Sequence, residues 1–121
     1  MIKIDKTSPI PVYKQIVLNI KKDIFLGKIK EGDQLMTVRT LAEKLRVNVN
    51  TVLKAYNILA SQGIIESKQG TGNFVKESSS VVCDITEDIK SLVLKAKKCS
   101  LSRDLVMIIL QEVWDELNTN D

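Results

Sequence analysis

The chain has 121 residues, 44% of them hydrophobic and 27% charged, with a net charge of +3. That profile fits a soluble globular protein with one ordinary core, or a small domain with an appendage. It holds no histidine and two cysteines, which removes the commonest general base and metal ligand and leaves no ordinary zinc site, and no apolar run approaches the roughly 20 residues that span a bilayer.

The stretch from Met1 to Gln15 lacks the apolar core of a signal peptide, so a cytoplasmic protein is expected. Pro9 and Pro11 flank the start of a periodic segment, and proline is tolerated in the first turn of a helix. From Val12, apolar residues recur at Ile16, Ile20, Ile24 and Leu26, with Tyr13 and Val17 widening the stripe. The spacing predicts an amphipathic helix over 11–26, stopped by Gly27. Residues 28–35 then read as a loop with Gly32-Asp33 as its turn signal.

Thr37 reads as the N-cap of a second, short helix that carries Val38, Leu41, Ala42 and Leu45 inward. Arg46-Val47 makes the turn. Asn48 is a good N-cap for a third helix over 49–61, whose apolar face is Val52, Ala55, Tyr56 and Leu59 and whose stop is Gly63. Ile64–Ser67 and Asn73–Lys76 read as strands, with Lys68-Gln69-Gly70-Thr71-Gly72 as the hairpin loop between them.

Glu77-Ser78-Ser79-Ser80 is the linker-like stretch, and residues 77–83 are expected to separate a first domain, 1–76, from a helical region, 84–121. Asp84 and Glu87 resemble a capping pair at a helix start. Ile85, Ile89, Leu92, Ala96 and Cys99 follow at alternating spacings of four and three, a narrow coiled-coil-like stripe. Along such a helix Cys83 and Cys99 stand about 24 Å apart, too far for the roughly 7 Å of a disulfide, so both are expected as free thiols. Ser102 caps a last helix over 103–118. There Leu105–Leu110 are six consecutive apolar residues, extended on one side by Val113, Trp114 and Leu117.

A pair of helices this short cannot bury that surface by itself. Self-association through Ile89, Leu92, Leu105, Ile108, Ile109 and Val113, four helices from two chains making one core, is the expected solution. The alternative is that the pair folds back on the N-terminal domain of its own chain. Charge divides at the same place. Residues 1–76 carry 13 Lys/Arg against 6 Asp/Glu, a net +7, while residues 77–121 carry 5 against 9, a net −4. The front half suits a polyanion, unless the split is only a chance division of surface charge.

Two helices joined by a tight turn suggest a helix–turn–helix. Such a motif needs a polar outer face near the start of its second helix. Asn48, Asn50, Thr51 and Lys54 supply that face. Asparagine can pair with adenine in the major groove, threonine can meet a thymine methyl or a phosphate, and the helix N-terminus is itself a phosphate site. Asn48 and Thr51 also fit plain roles as a cap and a first-turn residue. Arg39 can clamp a phosphate or reach a guanine, or else pair with Glu43 one turn on. The Lys68–Gly72 loop, with Lys68, Gln69 and Gly70 foremost, brings backbone N–H groups to phosphates or reaches a minor groove.

Four blocks resemble the winged helix–turn–helix domain of the GntR family of bacterial transcription regulators. The family pattern L-P-S-x-R-x-L-A is matched by Leu35-Met36-Thr37-Val38-Arg39-Thr40-Leu41-Ala42, and L-x-V-S-R-x-T-V by Leu45-Arg46-Val47-Asn48-Val49-Asn50-Thr51-Val52. Leu59 to Ile65 matches L-x-x-x-G-x-I, and Gly70-Thr71-Gly72-Asn73-Phe74-Val75 matches G-x-G-x-F-V. Met36 stands where the family usually has proline, and Val49 where many members carry an arginine that contacts DNA. The form V-N-x-N-T-V-x-K-A-Y, with a short C-terminal region, resembles the YtrA-type subfamily.

The resemblance implies a mainly α fold with a small β-hairpin wing, followed by a two-helix C-terminal dimerisation region. It implies a homodimeric repressor on a palindromic operator, often of an ABC transporter operon. Arg39, Asn48, Asn50, Thr51, Lys54, Gln69 and Gly70 inherit the DNA contacts, while Gly72 and Phe74 shape the wing. No cofactor, metal or membrane is implied, and a small-molecule effector, unnamed by the sequence, would find its place in the apolar dimer core around Val106–Leu110. One rival is a winged-helix adaptor for proteins, against which the presumed groove face is polar and basic rather than an apolar patch. An enzyme is the other rival, and the chain shows no nucleophile elbow, P-loop or paired carboxylates.

Overall fold

The computed structural model describes residues 2–76 and 80–118 and divides into two compact units, Met1–Val82 and Cys83–Asp121. In the first unit, α1 (Val12–Phe25) buries Ile16, Val17 and Ile20 on one face. It ends at Leu26 and at Gly27, whose φ of 76° is the left-handed stop that glycine accepts. Leu26, placed in the apolar stripe by its spacing, lies beyond the helix and is exposed.

Thr37 caps α2 (Val38–Leu45), its Oγ1 accepting the Thr40 N–H at 3.1 Å. Arg46 then takes φ 56° and ψ 49°. That left-handed residue, disfavoured by about 1–2 kcal/mol for an L side chain, turns the chain toward α3. Asn48 caps α3 (Val49–Ser61) by accepting the Asn50 N–H at 2.7 Å. Val52, Ala55, Tyr56 and Leu59 of α3 are buried with Leu41 and Ala42 of α2 and the α1 stripe.

The hairpin pairs β1 (Ile65–Lys68) with β2 (Gly72–Val75), Ile65 opposite Val75 and Lys68 opposite Gly72. Ile65 and Val75 enter the core. Lys68 and Gly72, expected in the loop, are strand residues, and the loop shortens to Gln69–Thr71, closed by the Thr71 N–H on the Lys68 carbonyl at 3.0 Å. The segment between α1 and α2, expected as a plain loop, adds a third edge to this hairpin. Val75 N–H donates to the Asp33 carbonyl at 2.9 Å, Leu35 N–H to Asn73 at 2.8 Å, and Gln34 bridges to Phe74.

The second unit consists of α4 (Ser80–Lys98) and α5 (Arg103–Asn118). In place of the expected start at residue 84, α4 begins four residues earlier, so Asp84 lies within the helix. No glycine or proline in Ser80-Val81-Val82-Cys83 interrupts the helix. Of the expected linker, residues 80–83 belong to the helix, and residues 77–79 lie outside the described residues. Ser100 turns the chain with φ 58°, and Ser102 Oγ accepts the Leu105 N–H at 3.1 Å, as its position predicts. Cys99 is a free, exposed thiol. No residue of α5 is buried within the chain. Among the described residues no helix is long and apolar enough to cross a membrane.

Candidate nucleic-acid interface

The apolar positions of α3 pull Val52, Ala55, Tyr56 and Leu59 into the core. At about 100° per residue, Asn50, Lys54, Asn57 and Ser61 then fall on the opposite side. These four, with Leu53 and Ile58, line one shallow depression along the helix. Asn50 has no side-chain partner among the described residues, so its amide is free to donate and accept together, as bidentate contact with adenine requires. Asn48 differs, because its Oδ1 is already spent on the Asn50 N–H. Its amide N–H donors stay unengaged, while the oxygen is held in the cap.

Tyr56 ties α3 to the entry of α2. Its hydroxyl donates to the Met36 carbonyl at 2.7 Å, just before the cap of α2. Only a carbonyl is needed there, so methionine serves where the family has proline. Burial pushes the Tyr56 phenol up to about 12.

Arg39, in the first turn of α2, is exposed, and among the described residues no ion pair ties it to Glu43. The alternative role weighed for it is absent. Lys54 lies on the outer side of α3 as its spacing suggests, and its ammonium stands 4.0 Å from the centre of the Tyr13 ring of α1. Contact with a phosphate has to compete with that cation–π interaction. In the wing, Lys68 stands 5.0 Å over the Phe74 ring, and Gly70, φ 79°, occupies the corner of the turn where a side chain would be strained. Gln69, beside it, is exposed.

Periodicity could not find the N-terminal arm. Gln15 is buried, and its side chain accepts the Asp5 N–H at 2.7 Å while donating to the Asp5 and Ile10 carbonyls. Hydrogen bonds from the Thr7 hydroxyl and N–H hold the Asp5 carboxyl below the usual range. So anchored, the arm brings Lys6 Nζ within 2.7 Å of the Arg46 carbonyl. The Lys6 ammonium is thereby held at the turn of the motif.

The model of the bacterial regulatory proteins of the gntR family matches residues 12–75. The chain belongs to the GntR family. Its fold is the family's winged helix–turn–helix, and it is a DNA-binding regulator of transcription in a family of such regulators. It is 38% identical to the HTH-type transcriptional repressor YtrA of Bacillus subtilis, over 79% of this chain and 78% of that one. A solved structure of YtrA from Sulfolobus acidocaldarius, described as a GntR-family transcription factor, superposes with a TM-score of 0.61 at 34% identity, covering 97% of this chain and 99% of the other. The DNA-binding domain of AraR, solved in complex with its operator ORX1, has a TM-score of 0.55 at 33% identity and covers 60% of this GntR chain and 90% of its own.

Proposed function

We propose that this GntR regulator is a homodimeric repressor of the cytoplasm that reads a palindromic operator. The outer face of α3, with the unpartnered Asn50 amide, is the observation that carries the reading. Arg39, Asn48, Asn50, Thr51 and Lys54 of the motif, with Lys68, Gln69 and Gly70 of the wing, make the contacts. Arg39 and Lys68 take phosphates, while Asn50 takes a base edge. Lys54 serves once it leaves Tyr13. The two copies join through α4 and α5, by Ile89, Leu92, Leu105, Ile108, Ile109 and Val113. Support for this comes from the apolar surface that α5 leaves exposed, Trp114 being 70% exposed in the single chain. The YtrA-type resemblance extends the proposal to operons for ABC transporters.

Sedimentation of the purified protein, alone and with genomic fragments at low and high salt, tests this. A dimer that enriches inverted repeats, more weakly as salt rises, is expected. A monomer that ignores DNA at low salt overturns it. Arg39→Ala should weaken operator binding by at least about 1 kcal/mol and lower the salt slope by about one unit. Unchanged affinity in a folded variant removes Arg39 from the interface.

A further inference from the structure

The groove face of α3 is not wholly polar. Val49 and Leu53 stand one helical turn apart and are 44% and 43% exposed. Neither joins the hydrophobic core nor packs against it, whereas Ile58 of the same helix does. Leu53 shares the outer depression of α3 with Asn50 and Asn57. Val49 opens the helix, beside the Asn48 cap. The exposed Leu18 and Phe25, by contrast, lie on α1.

The chemistry missing from α3 matters equally. Its sequence VNTVLKAYNILAS holds no arginine, and its one cation, Lys54, rests on Tyr13. Arginine on guanine O6 and N7 is the commonest specific major-groove contact, and this helix does not supply it. What α3 offers instead is an asparagine amide flanked by two aliphatic side chains. In the major groove, an amide of that kind suits adenine, and the only apolar feature of any base edge is the thymine 5-methyl group.

We infer that Val49 and Leu53 read thymine methyl groups beside the Asn50 contact, so that the base pairs under the start of α3 are A·T. The inference rests on the DNA-binding reading above and adds the bases. The surrounding charge favours DNA over a protein as the occupant, because Arg39, Lys44, Arg46 and Lys54 are all exposed on the same helix–turn–helix.

The test begins with the full chain and a random duplex library. From the enriched site, each thymine is replaced in turn by deoxyuridine, which removes only the methyl group. Wild type is expected to lose about fourfold in affinity at one or two positions per half-site, the worth of one buried carbon. Val49→Ala and Leu53→Ala should each bind the thymine site about as weakly as wild type binds the uracil site, and should no longer distinguish the two. Their salt dependence should match wild type, because an apolar contact releases no counterions. Both positions are exposed on a helix and alanine is the best helix former, so the variants fold; matching melting curves check this. Equal wild-type affinity for thymine and uracil at every position overturns the inference while leaving the regulator reading intact. So does an undiminished uracil penalty in both variants. If no sequence is enriched at any salt, both readings fall together.

Discussion

Tyr56 does two jobs with one hydroxyl. It completes the seam between α3 and the entry to α2, and it gives that seam a pH dependence. Removing the hydroxyl by Tyr56→Phe leaves the Met36 carbonyl without its donor and should cost about 1 kcal/mol near neutral pH. Burial pushes the folded phenol from its ordinary 10.0 up to about 12. The unfolded chain therefore sheds this proton first, and the contribution is whole below pH 10 and disappears as pH rises through 12. Urea unfolding at pH 7 and pH 11 should show the gap between wild type and Tyr56→Phe narrowing at the higher pH. An equal gap at both would refute the assignment.

Among the elements, the wing has the strictest local requirement. Gly72 has φ +123°, and a Cβ added there would meet Gln34 Nε2 at 2.6 Å. The Gln34 amide can swing away, at the loss of its 2.8 Å bond to the Thr71 carbonyl. Backbone strain cannot be relieved in that way. Gly72→Ala should therefore cost about 1–3 kcal/mol, and adding Gln34→Ala should restore little of it. Full recovery in the double variant, measured by urea midpoint, would show that the clash rather than the backbone set the cost.

The helices of this unit were legible because each buries one stripe, and α3 begins and ends where Asn48 and Gly63 place it. The third edge of the hairpin was not, since Asp33–Leu35 is too short for alternation to show. The two asparagines of the proposed interface were legible as a pair, but only hydrogen-bond geometry separates the cap from the free amide. The cation–π contact of Lys54 was hidden for a similar reason: its partner, Tyr13, comes from another helix.

At the scale of the molecule, the unmatched feature is α5. Leu105, Met107, Ile108, Ile109 and Leu110 are all exposed in the single chain. An apolar surface of that kind, on a helix with no buried residue, is what the dimer proposed above would cover. Ile108→Glu should convert the protein to a monomer of 13.6 kDa in sedimentation, with helix–turn–helix melting unchanged. Operator affinity should fall by about 100-fold, because each half-site then has to be held alone. A variant that still sediments at twice the chain mass would move the interface away from this face.

The latch that joins Gln34 to the wing has a kinetic consequence. Gln34 and Thr71 are 37 residues apart, and between them lies the whole helix–turn–helix. The motif is thus a closed loop fastened at its base, and the fastening gains nothing until the enclosed helices have brought its ends together. The local turns capped by Thr37 and Asn48 can form early, whereas the latch belongs after the rate-limiting step. Substitutions at Gln34 should therefore speed unfolding and leave refolding nearly untouched, so that stopped-flow measurements find the wing to be the last part to arrive and the first to leave.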